Sequence, residues 1–258
     1  MDNNYDVVIK SHPKDYHKLE LVVDSIKYLN PQPENIYILT PDGFYPKNTQ
    51  YDSKIIYITD TEVTPFIDKT KLTHRPNWNW INLVSLFQTF TKNDLYFDIQ
   101  SDNFFTKPLD LFDKFGRPRI FQSISNDCNM SGHDPYFKFS ETVFGISKLN
   151  QGYTYIIEFI MYDRKILSKL IDMYESFDIM METIYNSVNF DSYPADQEIF
   201  GYFVEKYFSD QYEIVPNNSV YVDGTYHQSA SLEDLKKLIE QVKVNHPDYL
   251  ACSHHTWI

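Results

Sequence analysis

The residues best suited to chemistry are acidic and sit at two short intervals. In Asp98-Ile99-Gln100-Ser101-Asp102 an oxygen-bearing side chain recurs at every second position. On a strand that spacing puts Asp98, Gln100 and Asp102 on one side, facing a common ligand. Two carboxylates and an amide oxygen suit magnesium or manganese, which such groups hold together with the oxygens of a diphosphate, the metal neutralising charge on a leaving group. The apolar Leu95, Tyr96 and Phe97 lead into the segment, and carboxylates at a buried strand end are costly unless a cation or hydrogen bonds compensate. The second interval is Asp196-Gln197-Glu198, opened by Tyr193-Pro194 as a helix start. The positive helix end keeps such a carboxylate ionised and presents it to a cleft, so Asp196, with Glu198 second, is the candidate general base. Glu158, close to Tyr153 and Tyr155, is a third carboxylate able to bind hydroxyls beside a stacking ring. Near the end an apolar strand runs into His254-His255, and only one of two neighbours faces a given side.

Elements that must position these groups are legible as apolar runs between breakers. Strands are expected at residues 5–11, 35–39, 54–58, 93–100, 141–147, 213–216 and 249–253. Helices are expected at residues 14–29, 78–90, 155–175, 195–207 and 232–243, and residues 116–140 read as an irregular loop. Two buried strands joined by one helix require a right-handed crossover and a parallel sheet. The fold class is therefore α/β, Rossmann-like, with a mainly parallel central sheet and helices on both faces. A single domain spanning 1–258 is expected. Strand ends at Ser11-His12, Thr40-Asp42 and Thr59-Asp60 then share the rim where open α/β sheets bind ligands.

Composition closes off several function classes. Asp plus Glu is 36 against 23 Lys plus Arg, a net charge of −13, the wrong sign for neutralising nucleic-acid phosphates or adhering to anionic lipid. No apolar run reaches the roughly 18 residues of a spanning helix and the start does not resemble a signal peptide, so a cytoplasmic chain is expected. Two cysteines without metal or redox spacing give neither a disulfide framework nor a zinc site. Forty Tyr and Phe residues against 7 Gly point to an aromatic core. No glycine-rich dinucleotide or P-loop motif occurs, nor a Gly-x-Ser-x-Gly elbow.

The segment YFDIQSDNFFTKPLDLF (96–112) resembles the Asp-x-Asp region of GT-A-fold glycosyltransferases, as do YDVVIKSHPKDYHKLELVVDSI (5–26), RPNWNWINLVSLFQ (75–88) and YPADQEIFGYFV (193–204). Similar chains are an uncharacterised family predicted to be nucleotide-diphospho-sugar transferases and the glycosyltransferases of large DNA viruses. The resemblance implies a GT-A-like fold, with residues 1–102 binding the nucleotide and 103–258 the acceptor. It implies transfer from a UDP- or GDP-linked sugar to a hydroxyl of a glycan or other acceptor, assisted by Mn2+ or Mg2+ and inverting at the anomeric carbon. Ser11 and His12 would line the nucleotide pocket, Thr40 and Asp42 would sit beside the base or ribose, and Arg75 would approach the diphosphate with its fork of donors. Asp102 and His254 would hold the metal. Gln100 stands where the first Asp of that motif belongs, a departure for which Asp98 could compensate. Alternatives are a sugar-nucleotide nucleotidyltransferase, disfavoured because Ser11-His12-Pro13-Lys14 lacks glycine, and an inactive carbohydrate-binding relative.

Overall fold

The computed structural model describes residues 3–11, 13–40, 52–63, 67–124, 133–148, 152–216, 220–222 and 230–254. Strand β1 (Asp6–Lys10) leads through a 3-10 segment, Pro13–Lys18, into α1 (Leu19–Ser25). Next come β2 (Leu29–Asn30), β3 (Ile36–Thr40), β4 (Ile55–Thr59), α2 (Asp60–Val63), α3 (Pro76–Phe87) and β5 (Leu95–Gln100). The middle of the chain forms β6 (Asn103–Phe105), β7 (Leu109–Asp110), β8 (Arg119–Ile124), α4 (Asp134–Phe144), β9 (Tyr153–Thr154) and β10 (Phe159–Asp163). Helices α5 (Arg164–Ile171), α6 (Phe177–Ser187) and α7 (Asp196–Tyr207) follow, and β11 (Glu213–Pro216), β12 (Val220–Val222), α8 (Leu232–Asn245) and β13 (Ala251–Ser253) complete the order.

The central sheet has the order β10-β5-β1-β3-β4. Only β10 runs antiparallel within it, so the expected α/β class with a mainly parallel sheet is the class observed. Alternate residues feed two cores. Val8, Tyr37, Leu39, Tyr96, Ile160 and Tyr162 face α3, α4, α5, α6 and α7. On the other face Val7, Ile9, Ile38, Phe97, Ile99 and Phe159 pack with α1 and α8. The chain leaves β1 toward β3 and β4, then returns to β1's other side as β5. The carboxyl ends of β1 and β5 thus form a topological switch point, the crevice where open α/β sheets take ligands.

Three sequence expectations are corrected here. Residues 141–147 are not a strand: 134–144 form α4, with Tyr136, Phe139, Ser140, Val143 and Phe144 buried at helical spacing and Gly145 closing the helix in the left-handed region. Residues 155–175 are not one helix. β10 is apolar at successive positions because its two faces meet two cores, and Asp163 then caps α5 by accepting from the Lys165 N–H. The supposed loop 116–140 carries β8 and the start of α4. Helix α6, capped by Ser176, was not anticipated. Among the described residues no helix is long and apolar enough to cross a membrane.

Candidate active site

Lys10 closes β1, in register with Gln100, and Asp98 lies two residues back on β5 opposite Val8. Side chains two apart share a face, so Lys10 and Asp98 meet on the side covered by α3 and α7. The Lys10 ammonium lies 3.1 Å from Asp98 Oδ1 and 3.1 Å from Asp196 Oδ2, and donates to Ser85 Oγ at 2.7 Å. The ammonium hydrogen-bonds Ser85 and Asp196, while Asp98 meets it as an ion pair, with both carboxylate oxygens buried and without a hydrogen-bond partner among the described residues. All three charged side chains are nine-tenths or more buried. Asp196 opens α7 and its N–H donates to Asn82 Oδ1 on α3 at 3.1 Å, while Tyr96 donates to the Ser85 carbonyl.

Two carboxylates facing one ammonium leave the cluster a net negative charge. Burial pushes the Asp98 carboxyl up to about 6, with Lys10 opposing and Asp196 adding to the shift. Burial by itself would lower the Lys10 ammonium, but Asp196 and Asp98 outweigh it and hold the group above the usual lysine range. The phenols of Tyr96 and Tyr162 are raised by burial and by the same carboxylates. A buried, charge-imbalanced cluster at a switch point is the kind of environment that perturbs acids and bases for function.

The remaining candidates lie around the rim. Ser11 donates its N–H to the Leu39 carbonyl at 3.0 Å, and Thr40 shares a hydrogen bond with Tyr16. The Gln100 N–H donates to the carbonyl of Glu158, whose φ is 77°. Strand β5 ends at Gln100 and the chain turns at Ser101 and Asp102, so the alternation expected to align Asp98, Gln100 and Asp102 is interrupted. Asp98 goes to Lys10. Asp102 instead meets His254, whose N–H donates to the Asp102 carbonyl at 3.0 Å where β13 pairs antiparallel with β6. The His254 carbonyl in turn accepts from the buried Lys18 at 2.8 Å. Among the described residues no group of three His, Cys, Asp or Glu is gathered to hold a metal; a carboxylate and an imidazole at this strand pair are suitable donors for a hard or borderline cation but do not form a protein-only cage. Ser11 Oγ and both polar side-chain atoms of Asn103 are shielded from solvent without a partner among the described residues. Arg75, in the left-handed region at φ 42°, stacks on Trp78 and Tyr193 at 4.7 and 5.6 Å. His12, Asp42 and His255 lie outside the described residues.

Glu198 points the other way from Asp196. It has no exposed surface and accepts from the Thr154 hydroxyl and the Tyr155 N–H. Tyr155 packs against α7 at Gly201, where a Cβ would come within 2.1 Å of the ring, and its hydroxyl donates to Glu205. Residues 198, 201 and 205 therefore pin one helix face to β9 and the residue after it. Burial pushes the Glu198 carboxyl up to about 7 against those two hydrogen bonds. A carboxyl raised on folding contributes stability that is complete below its unfolded pKa and lost as pH rises through the folded value. Stability is therefore expected to fall between about pH 5 and pH 8. Glu198→Gln should flatten that fall by up to about 3 kcal/mol, read from denaturant titrations across pH. An unchanged pH profile in the variant would refute the assignment.

Sequence reasoning missed Lys10 and Ser85. A lysine closing the apolar run of β1 was the available signal for the first. No family model matches the chain, and no curated protein matches it. A solved structure of an active-site mutant of LgtC is similar over 96% of this chain and 86% of that one, at 12% identity and a TM-score of 0.49. With so few shared residues, function is argued from this chain's own site.

Proposed function

We propose that the chain is a GT-A-type glycosyltransferase that moves a sugar from a nucleotide-diphosphate donor to a hydroxyl of a glycan or similar acceptor. One observation carries the reading. The four separate segments that resemble such enzymes each send one side chain to a single buried cluster: Lys10, Ser85, Asp98 and Asp196. Their sequence separation is large, and a shared cluster at the switch point gives all four a common reason to be there. The unpartnered Ser11 and Asn103 groups, which follow β1 and β5 in sequence, support a polar ligand at that rim, since buried polar atoms ordinarily have partners.

In this reading Ser11, His12, Thr40 and Asp42 border the nucleotide, and Gln100 and Asp102 the diphosphate. Arg75, held in its aromatic stack, serves the far side of the cleft. A divalent cation supplies charge neutralisation for the leaving diphosphate when bound; Asp102 and His254 are the residues that would hold it, diphosphate oxygens completing its shell. Asp98 fixes Lys10, which fixes Asp196 on the acceptor side; Glu198 fixes the backbone around Tyr155.

Calorimetry tests the donor half. UDP or GDP is expected to bind more tightly with manganese than without, and Asp102→Asn should remove most of that difference, because two anionic groups otherwise crowd one cleft. Equal manganese dependence in wild type and variant would exclude the Asp102 role, and no nucleotide binding at all would exclude the donor class.

A further inference from the structure

Arginine is scarce in this chain, which has four, and three of them meet carboxylates: Arg117 with Asp113, Arg119 with Glu213 and Arg164 with Asp94. Arg75 meets none among the described residues, although the chain's net charge is −13. It is held against rings instead, its guanidinium carbon 4.7 Å from the ring centre of Trp78 and 5.6 Å from that of Tyr193. Tyr136 lies edge-on to Tyr193 at 5.1 Å, and Arg75 opposes the rise that burial gives the Tyr136 phenol, so the guanidinium faces that hydroxyl as well. Two ring faces and one phenol do not use the five N–H donors of an arginine.

Two further donors of the same shell are shielded from solvent without a partner among the described residues. They are the hydroxyl of Ser192, a residue only 3% exposed that adjoins Tyr193 in the chain, and Nε1 of Trp78, the ring beside Arg75. Buried polar atoms ordinarily have partners. Arg75 also stands at the N-cap of α3, gives that helix no side-chain cap and is followed by Pro76, so the positive end of the helix lies in the same place. Its φ of 42° is a conformation at ease for glycine and strained for arginine, a strain that persists where a side chain's position is used. Asp134 and Asp191 line the adjoining groove with Lys138 and His74, yet neither carboxylate pairs with Arg75 among the described residues. Donors and one uncompensated positive charge match an oxyanion, for which arginine supplies a bidentate fork.

The helix serves as a ruler for where that anion sits. Ser85, which accepts from Lys10 at the end of β1, lies ten residues beyond Arg75, about 15 Å along α3. The rim where a donor diphosphate would bind is therefore remote from Arg75. Asp196 is closer to the shell, because Tyr193 precedes it by three residues, at most about 11 Å of chain.

We infer that Arg75, Ser192 and Trp78 form an oxyanion site that receives a carboxylate or phosphate group carried by the acceptor. The inference rests on the transferase reading for its place near Asp196, and it makes the acceptor acidic. Binding of this kind holds the substrate without touching the reacting atoms.

Calorimetry of the full chain at low salt, with methyl glucuronide, glucose 6-phosphate and the neutral methyl glucoside as probes, reads the site directly. At least one charged sugar is expected to bind about tenfold more tightly than the neutral one, the size of a hydrogen bond to a charged group. Arg75→Gly should erase that preference while the melting temperature stays near that of the wild type, since glycine adopts a positive φ without strain. Ser192→Ala should reduce the preference by a smaller factor. Charged sugars bound no better than the neutral one, or a preference that survives Arg75→Gly, would overturn the site. Inorganic phosphate bound as tightly as both charged sugars would make it a site for the free ion and overturn the acceptor assignment. So would a loss of UDP or GDP affinity in Arg75→Gly, which would assign the residue to the diphosphate. Nucleotide binding without any preference for a charged sugar removes this site and spares the transferase, whereas the preference without nucleotide binding upholds the oxyanion site and removes the transferase.

Discussion

Lys10→Met is expected to destabilise the protein by about 3–5 kcal/mol, the range for removing one partner of a buried ion pair. Methionine fills the volume of the lysine stem, so the loss is electrostatic. Asp98 and Asp196 would be left as two buried carboxylates, with no cation within the 3.1 Å that Lys10 supplied to each. The deficit should depend on pH in a defined direction. Asp98 already sits up near 6 with Lys10 present, and Lys10 is what opposes that rise, so removing the ammonium pushes the Asp98 carboxyl higher. Protonation then relieves the variant as pH falls, so its deficit is largest above neutrality and shrinks toward about pH 5. At neutral pH the melting temperature should drop on the order of 10 °C. Adding Asp98→Asn and Asp196→Asn to Lys10→Met should recover much of the loss, because the amides need no counter-ion. A single-variant deficit below about 1 kcal/mol at pH 8 would mean that the cluster is wetter and weaker than its burial indicates.

How the sequence encoded this arrangement differs from element to element. Strands β1, β3, β4 and β5 were legible because each is an apolar run stopped by polar residues or proline, and the parallel crossover followed from the helix between the first two. Helix α4 was misjudged because its buried positions begin at Tyr136, upstream of where the strand was expected, which cut its period in half. β10 and α5 merged into one expected helix because a strand buried on both faces has no alternation to separate it from a helix. In the site, carboxylates could be singled out by type and local spacing, and Asp196 was found that way. Their partners could not. Lys10 is 186 positions from Asp196, and only folding decides whether Asp98 turns to a cation beside Asp102 or to a lysine on the neighbouring strand. The pairing of Asp102 with His254 by backbone contact is equally non-local, though the resemblance to GT-A enzymes named both residues.

Asp196→Asn is expected to lower transfer by about 10²–10⁴-fold while leaving nucleotide affinity near that of the wild type, the range for loss of a general base. In a single displacement the acceptor oxygen attacks as the diphosphate departs, and a carboxylate on the acceptor side must take the proton. Asp196 stands in the first turn of α7. One of its oxygens is engaged by Lys10, which fixes the carboxylate and leaves the other oxygen for the acceptor. The substitution is also a clean one. Removing a charge from Asp196 leaves Lys10 paired with Asp98, converting an imbalanced cluster into a neutral pair, so the fold should tolerate it far better than Lys10→Met. Asp98→Asn makes the matching control, since it leaves Lys10 paired with Asp196 and removes no proton acceptor from the acceptor side. If turnover falls with Asp196→Asn and falls much less with Asp98→Asn at similar melting temperatures, the carboxylate of Asp196 acts in the proton transfer. Equal losses would make both positioning residues for Lys10, and near-normal transfer by Asp196→Asn would remove the base altogether, leaving a mechanism that retains configuration and needs none from the enzyme.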